Sequence, residues 1–199
     1  MRLSLLAGLP GLPGLLFTTG AVLPANPLVV PGKSLGNIRL GSAVDSLTWM
    51  GPADYGDAAM QKAWSTWYAK PGKPGVARYQ IDLYTSGVGP ELHKQVRLIR
   101  ATSPWFRTAG GVRVGTPLAR LKTACGPLKL AATYRPAPGA APRYLYDNAR
   151  AGMAFETAGP AATSRCVAVI VHLPGQGVAS THLSLTDYLQ AAGQQVRKP

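Results

Sequence analysis

Acidic residues are scarce. The 199-residue chain has 8 Asp plus Glu against 21 Lys plus Arg, a formal net charge of +13. With so few carboxylates and only 3 histidines, a multi-carboxylate calcium site or a two-metal centre is hard to assemble. Two cysteines are too few for a four-cysteine zinc site or a disulfide-dense mini-protein. Long apolar runs are missing as well. Pro10 and Pro13 interrupt the N-terminal one, and the pieces fall short of the ~18 residues that mark a spanning helix. No G-x-S-x-G elbow, H-E-x-x-H pair, P-loop or dinucleotide fingerprint occurs. These absences argue against an enzyme and imply neither cofactor nor metal.

Glycine and proline are plentiful, 23 and 18 residues, but aperiodic. Collagen is excluded and turns are favoured. The hydrophobic content of 46% suits a folded chain.

The N-terminus reads as an address. Arg2 is the only charge before Lys33. An apolar stretch from Leu3 to Phe17 leads into the small residues Thr18, Thr19, Gly20 and Ala21. That order is the order of a secretory signal. An uncleaved membrane anchor is the rival reading. The expected organisation is a signal peptide over 1–21, a linker over 22–32, and a mature protein that is secreted or periplasmic. In an oxidising compartment Cys125 and Cys166 read as one disulfide. The alternative is a reactive thiol or two buried free cysteines.

Residues Gly36-Asn37-Ile38-Arg39-Leu40-Gly41-Ser42 align with Gly110-Gly111-Val112-Arg113-Val114-Gly115-Thr116 at a constant offset of 74. Ser42 and Thr116 read as N-caps, with Asp45 completing a capping box and Pro117 at a first helical position. Gly51-Pro52 and Gly126-Pro127 stop both helices. Strand-like runs follow: 64–68, 78–84 and 95–102, then 143–147, 152–157 and 166–173. Segments 70–77 and 134–142, rich in Pro, Gly and Ala, read as loops. A last helix is capped by Ser184, carries Leu185, Tyr188 and Leu189 on one stripe, and ends at Gly193. The expected fold is α+β: two tandem helix-plus-antiparallel-meander repeats, 33–107 and 108–175, forming one sheet with helices on one face. A C-terminal helix and tail occupy 176–199.

The pattern G-x-[IV]-R-[LV]-G-[ST], a short helix, Gly-Pro and a meander resembles the beta-lactamase inhibitory protein family and the BamE (SmpA/OmlA)-like lipoproteins. The resemblance covers residues 33 to about 173. It implies an exported binding scaffold. Departures are plain: the inhibitory family carries a disulfide in each repeat, and BamE-type proteins carry a lipid-bearing cysteine absent here. Neither activity carries over.

If helices cover one sheet face, the other is open. Trp67, Tyr84, Arg97 and Arg143 are the candidates for that face, an interaction surface of aromatics beside arginine. The rival reading of each Trp is core. The positive charge is spread: residues 32–107 hold 10 basic and 5 acidic side chains, and 108–199 hold 10 and 3. A nucleic-acid binder concentrates its charge on one stripe, so specific nucleic-acid binding is not expected. The expected function is a monomeric, non-enzymatic interaction module with a protein partner in the envelope or outside the cell. Charge-driven contact with anionic envelope polymers or lipid head groups is the alternative, and a hydrolase built on His172 or His182 is the third reading. Asp82 and Glu156 have no catalytic spacing in the sequence.

Overall fold

The computed structural model describes residues 26–69, 78–90, 93–179, 181 and 184–195, the last three without side-chain detail. The signal reading of 1–21, the first part of the 22–32 linker, the 70–77 loop, His182 and the basic tail lie outside these residues.

In chain order the strands are β1 (Leu28–Val30), β2 (Ser34–Leu35), β3 (Ile38–Arg39), β4 (Tyr55–Ala59), β5 (Lys62–Tyr68) and β6 (Gln80–Val88). They continue as β7 (His93–Ala101), β8 (Arg107–Thr108), β9 (Lys129–Tyr134), β10 (Arg143–Asn148), β11 (Met153–Thr157) and β12 (Cys166–His172). A 3-10 helix spans Val44–Met50, and two α-helices follow, α1 (Leu118–Cys125) and α2 (Leu185–Gln195). An 8-stranded sheet has the order β4-β5-β6-β7-β12-β11-β10-β9. All its neighbours are antiparallel. A 4-stranded sheet, β3-β2-β1-β8, stands apart from it.

The α+β expectation of one sheet with helices on one face is therefore corrected. The described residues are mostly β, with two sheets and three short helices. Helices lie on both faces of the large sheet. On one face, Leu47 and Met50 of the 3-10 helix, Leu118 and Leu121 of α1, and Val29, Leu35 and Ile38 of the small sheet pack on Leu83, Ile99 and Val169. On the other, Leu185, Tyr188 and Leu189 of α2 pack on Tyr84, Leu98 and Ile170. Neighbouring residues of one strand, such as Leu83 and Tyr84, enter opposite cores, as strand alternation demands. An antiparallel sheet commonly leaves one face in water; here α2 removes that option for much of it.

The tandem repeat is not supported either. Residues 38–39 form β3, whereas of their aligned counterparts, 112–113, only Arg113 pairs, by an isolated bridge to Arg107 of β8. The expected caps are also absent. Ser42 Oγ donates to the Arg39 carbonyl, and Thr116 Oγ1 accepts from the Arg113 amide. The 3-10 helix and α1 start from Ala43 and Pro117 without a side-chain cap. Gly51 and Gly126, at φ 71° and 76°, end them as glycine can. Part of the expected linker is structural: Leu28–Val30 is β1, paired antiparallel with β2 and parallel with β8.

The aromatic packing under α2 explains its seat. The Tyr188 ring stacks on Trp64 at 5.0 Å and on Tyr55 at 5.6 Å, and Trp64 meets Tyr84 at 5.1 Å. Such pairs add ~0.5–1.5 kcal/mol each beyond the area they bury. The helix N-terminus is capped as read: the Asp187 amide donates to Ser184 Oγ at 3.4 Å.

Candidate functional site

Beneath α2 a row of polar side chains crosses the large sheet. Arg100 on β7 donates from Nε and Nη2 to the Glu156 carboxylate on β11, at 2.6 and 3.0 Å. Its Nη1 donates to Asp82 on β6 at 2.6 Å. Tyr134 on β9 donates to Glu156 at 2.8 Å. At the other end Thr66 donates to Asp82 and is itself bonded to the Tyr188 hydroxyl at 2.6 Å. Gln80 Nε2 donates to both Asp82 oxygens. Arg100, Asp82 and Glu156 are all buried. Burial alone would lower the Arg100 pKa, but Glu156 and Asp82 more than offset it and hold the guanidinium above its ordinary value. Burial, then the Glu156 charge, pushes the Tyr134 phenol up. Two carboxylates with no sequence relationship are thus joined by one guanidinium. A buried pair of this kind is satisfied rather than reactive.

Beside this row lies a cleft of about 360 Å³. Arg100 and Gln80 lie on its polar side with Tyr68 and Tyr134, and Leu189 and Ala192 of α2 make an apolar wall. Arg78 and Arg143 also line it. Arg78 is exposed and Arg143 half-buried. Arg100 is engaged with its carboxylates, but no carboxylate pairs with Arg78 or Arg143 among the described residues. Among the described residues no acidic side chain lines the cleft. Burial, followed by the Asp82 charge, pushes the Tyr68 phenol up to about 12. The neutral hydroxyl is the form present near neutral pH.

A smaller cleft of about 250 Å³ lies at the other end of β5 and β6, lined in part by Lys62, Tyr84, Arg97 and His172. His172 is buried between the Asp147 carboxylate, 2.9 Å from Nε2, and the Leu173 carbonyl, 3.1 Å from Nδ1. The fold supplies the acidic neighbour that the sequence does not show. Both partners are acceptors, so the ring N–H donates to whichever one the tautomer faces. Among the described residues no group of three or more His, Cys, Asp or Glu could hold a metal ion.

Of the four expected face residues, Tyr84 and Arg97 share the smaller cleft, and Trp67 and Arg143 lie apart from them. Tyr84 is buried in the α2-side core. Trp67 is half-buried, packs against the opposite core, and donates from its indole to the Gly51 carbonyl at 3.1 Å. Arg97 and Arg143 line different clefts. Trp49 and Trp105 are the exposed tryptophans, at 42% and 46%.

The expected disulfide is absent: Cys125 and Cys166 are free thiols. Cys166 pairs with Thr157, while the Cys125 carbonyl accepts from Asn148, whose partner on β11 is Met153. Cys166 is buried in the core and Cys125 packs against it, with no bond between them. Burial pushes both thiols up, which disfavours the thiolate and hence nucleophilic chemistry.

No family model matches the chain, and no curated protein matches it. The likeness to BamE-type proteins and to the beta-lactamase inhibitory protein therefore has no support. Among solved structures, the chain is similar to the uncharacterized protein yfeY from Escherichia coli. The identity is 11%, over 72% of this chain and 98% of that one, with a TM-score of 0.41. A likeness at that level carries no argument about function.

Proposed function

We propose that the protein is an exported, non-enzymatic module that binds an anionic envelope polymer through the cleft edged by Arg78 and Arg143. The observation that supports this reading is two arginines on a recessed site with no carboxylate to neutralise them among the described residues. Arg100 beneath them is already engaged, so it shapes the floor while the two outer guanidiniums meet the ligand. Arginine presents a planar fork suited to carboxylate or phosphate. The net charge of +13 raises the local concentration of a polyanion before it docks. A recess suits a chain segment better than the flat surface of a bilayer.

The test is calorimetric titration of the mature chain from Val22 with polygalacturonate at low and high salt. Binding is expected to weaken steeply with salt. Arg143→Ala and Arg78→Ala each weaken it by about 1 kcal/mol, roughly fivefold, at unchanged melting temperature. Affinity indifferent to salt and to both substitutions would sink the reading. Equal binding to phosphatidylglycerol vesicles and none to the polymer would transfer it to lipid head groups.

A protein partner is the second reading, favoured by the exposed Trp49 and Trp105. Large exposed aromatics are the residues that carry interface energy. Its test is capture from the native envelope fraction by the wild type but not by Trp49→Ala/Trp105→Ala.

A further inference from the structure

The pairing of β6 with β7 slips by one residue. Tyr84 faces Leu98 and Thr85 faces Val96, so Arg97 has no partner on β6. An extra residue of this kind re-aims its side chain and bends the strand. Val96 enters the core on the 3-10-helix side and Leu98 the core under α2. Arg97, between them, lines the smaller cleft on the α2 side. Lys62, directly opposite Ser86 on the neighbouring strand, lines the same cleft. No carboxylate lines it, and none pairs with Lys62 or Arg97 among the described residues. Its far wall is held in place. Asp147 Oδ1 meets His172 Nε2, and Asp147 Oδ2 accepts the Val178 amide at 2.9 Å. The loop between those residues brings Gln176 and Gly177 to the cleft.

The two clefts share one face of the sheet. Tyr68 and Gln80 are cross-strand partners at one end of the β5–β6 pair, and Lys62 and Ser86 are partners at the other. Six residues of strand separate the two ends, about 20 Å. We propose that Lys62 and Arg97 form a second anion subsite, so that the ligand is a polyanion held at two points along this face. The inference rests on the anion-binding reading of the first cleft and specifies its ligand. A single carboxylate or phosphate occupies one cleft. A chain long enough to pass around α2, which covers the sheet between the clefts, occupies both, and the second contact is then intramolecular.

The experiment compares tripolyphosphate, too short to reach both clefts, with long-chain polyphosphate, in binding per phosphate on the mature chain. Long-chain polyphosphate is expected to bind about tenfold or more tighter. Lys62→Gln/Arg97→Gln brings its affinity down to the tripolyphosphate level and leaves tripolyphosphate bound at the first cleft. Arg39→Gln/Arg113→Gln removes the same charge elsewhere and leaves the length gain intact. An equal loss in that control reduces the effect to diffuse charge and overturns the second subsite. So does a long-chain affinity that Lys62→Gln/Arg97→Gln does not change. In the latter case, loss of both ligands in Arg78→Gln/Arg143→Gln leaves the first cleft standing. Failure of both ligands to bind the wild type overturns both readings. A parallel series of galacturonate and polygalacturonate distinguishes phosphate from carboxylate chains.

Discussion

Arg100 reaches Glu156 across a strand that lies between them. β12 separates β7 from β11, and the guanidinium passes over it to make two hydrogen bonds with the carboxylate. The nearest rungs on β12 are Ile170, opposite Arg100, and Ala168, opposite Glu156. Ala168 has no side chain beyond Cβ, which leaves room for the crossing. The pair ties the two meanders of the large sheet together at their junction.

Removing that guanidinium strands two buried carboxylates. Arg100→Met is expected to lower stability by about 3–5 kcal/mol, read from urea denaturation. Adding Asp82→Asn and Glu156→Gln to it restores part of the loss, because the uncompensated charges go with the partner. No recovery in the triple variant would show that packing, not charge, sets the cost.

Alkali should unfold the protein through its tyrosines. Burial, first of all causes, raises the Tyr68, Tyr134 and Tyr188 phenols above their ordinary value. The folded state then holds protons that the unfolded chain releases from about pH 10. Stability is full below that pH and falls as pH rises through it, with Tyr68 losing its proton only near 12. Denaturation midpoints measured at rising pH check this. Tyr188→Phe should make the alkaline fall shallower; an unchanged slope would contradict the assignment.

Reductant should not matter. With Cys125 and Cys166 as free thiols, melting temperatures with and without dithiothreitol coincide, and a thiol assay on denatured protein finds both cysteines. Cys166→Ser puts a hydroxyl into a buried site and costs about 1–3 kcal/mol. A bridge found by mass spectrometry of the native protein would refute this arrangement.

Gly152 admits no side chain. Its φ is +68°, and an added Cβ would overlap the His172 carbonyl and approach the Gly32 Cα at 2.8 Å. The Gly32 amide also donates to the Gly152 carbonyl, so this is where the chain before β2 meets the large sheet. Gly152→Ala is expected to cost more than the ~1–2 kcal/mol of the left-handed conformation alone, because backbone atoms must also move. Thermal denaturation reads it. Gly175→Ala has a similar φ of +80° but open space around it, and should cost only the conformational share.

The strands that the sequence marks most clearly are those with apolar runs or alternation. The run 143–147 becomes Arg143–Asn148, and 166–173 becomes Cys166–His172. β4 shows no such pattern. Its Tyr-Gly-Asp-Ala-Ala is largely exposed at a sheet edge, and its turn uses Met60 and Gln61 at positive φ in place of the Asn-Gly that signals such a hairpin. β1, β2, β3 and β8 are two or three residues long, too short for any period to register. The buried row was visible only as isolated residues. Asp82 and Glu156 read as unrelated acids because the partner that unites them, Arg100, lies 18 positions from one and 56 from the other.

Local chemistry by itself determined where the first two helices stop, at Gly51 and Gly126, and which segments alternate, because glycine conformation and side-chain period act over a few residues; α2 runs past the expected stop at Gly193 to Gln195. It also set the charge imbalance, which is a property of composition. Tertiary structure alone decided that α2 covers the second sheet face, that Trp67 and Tyr84 enter opposite cores, and that the cysteines are left as free thiols. It also left Arg78 and Arg143 on one cleft without a carboxylate among the described residues, and turned Arg97 into another. Each of these depends on strand order and register, which bring residues far apart in the chain within a few ångströms. No short-range pattern encodes such pairings.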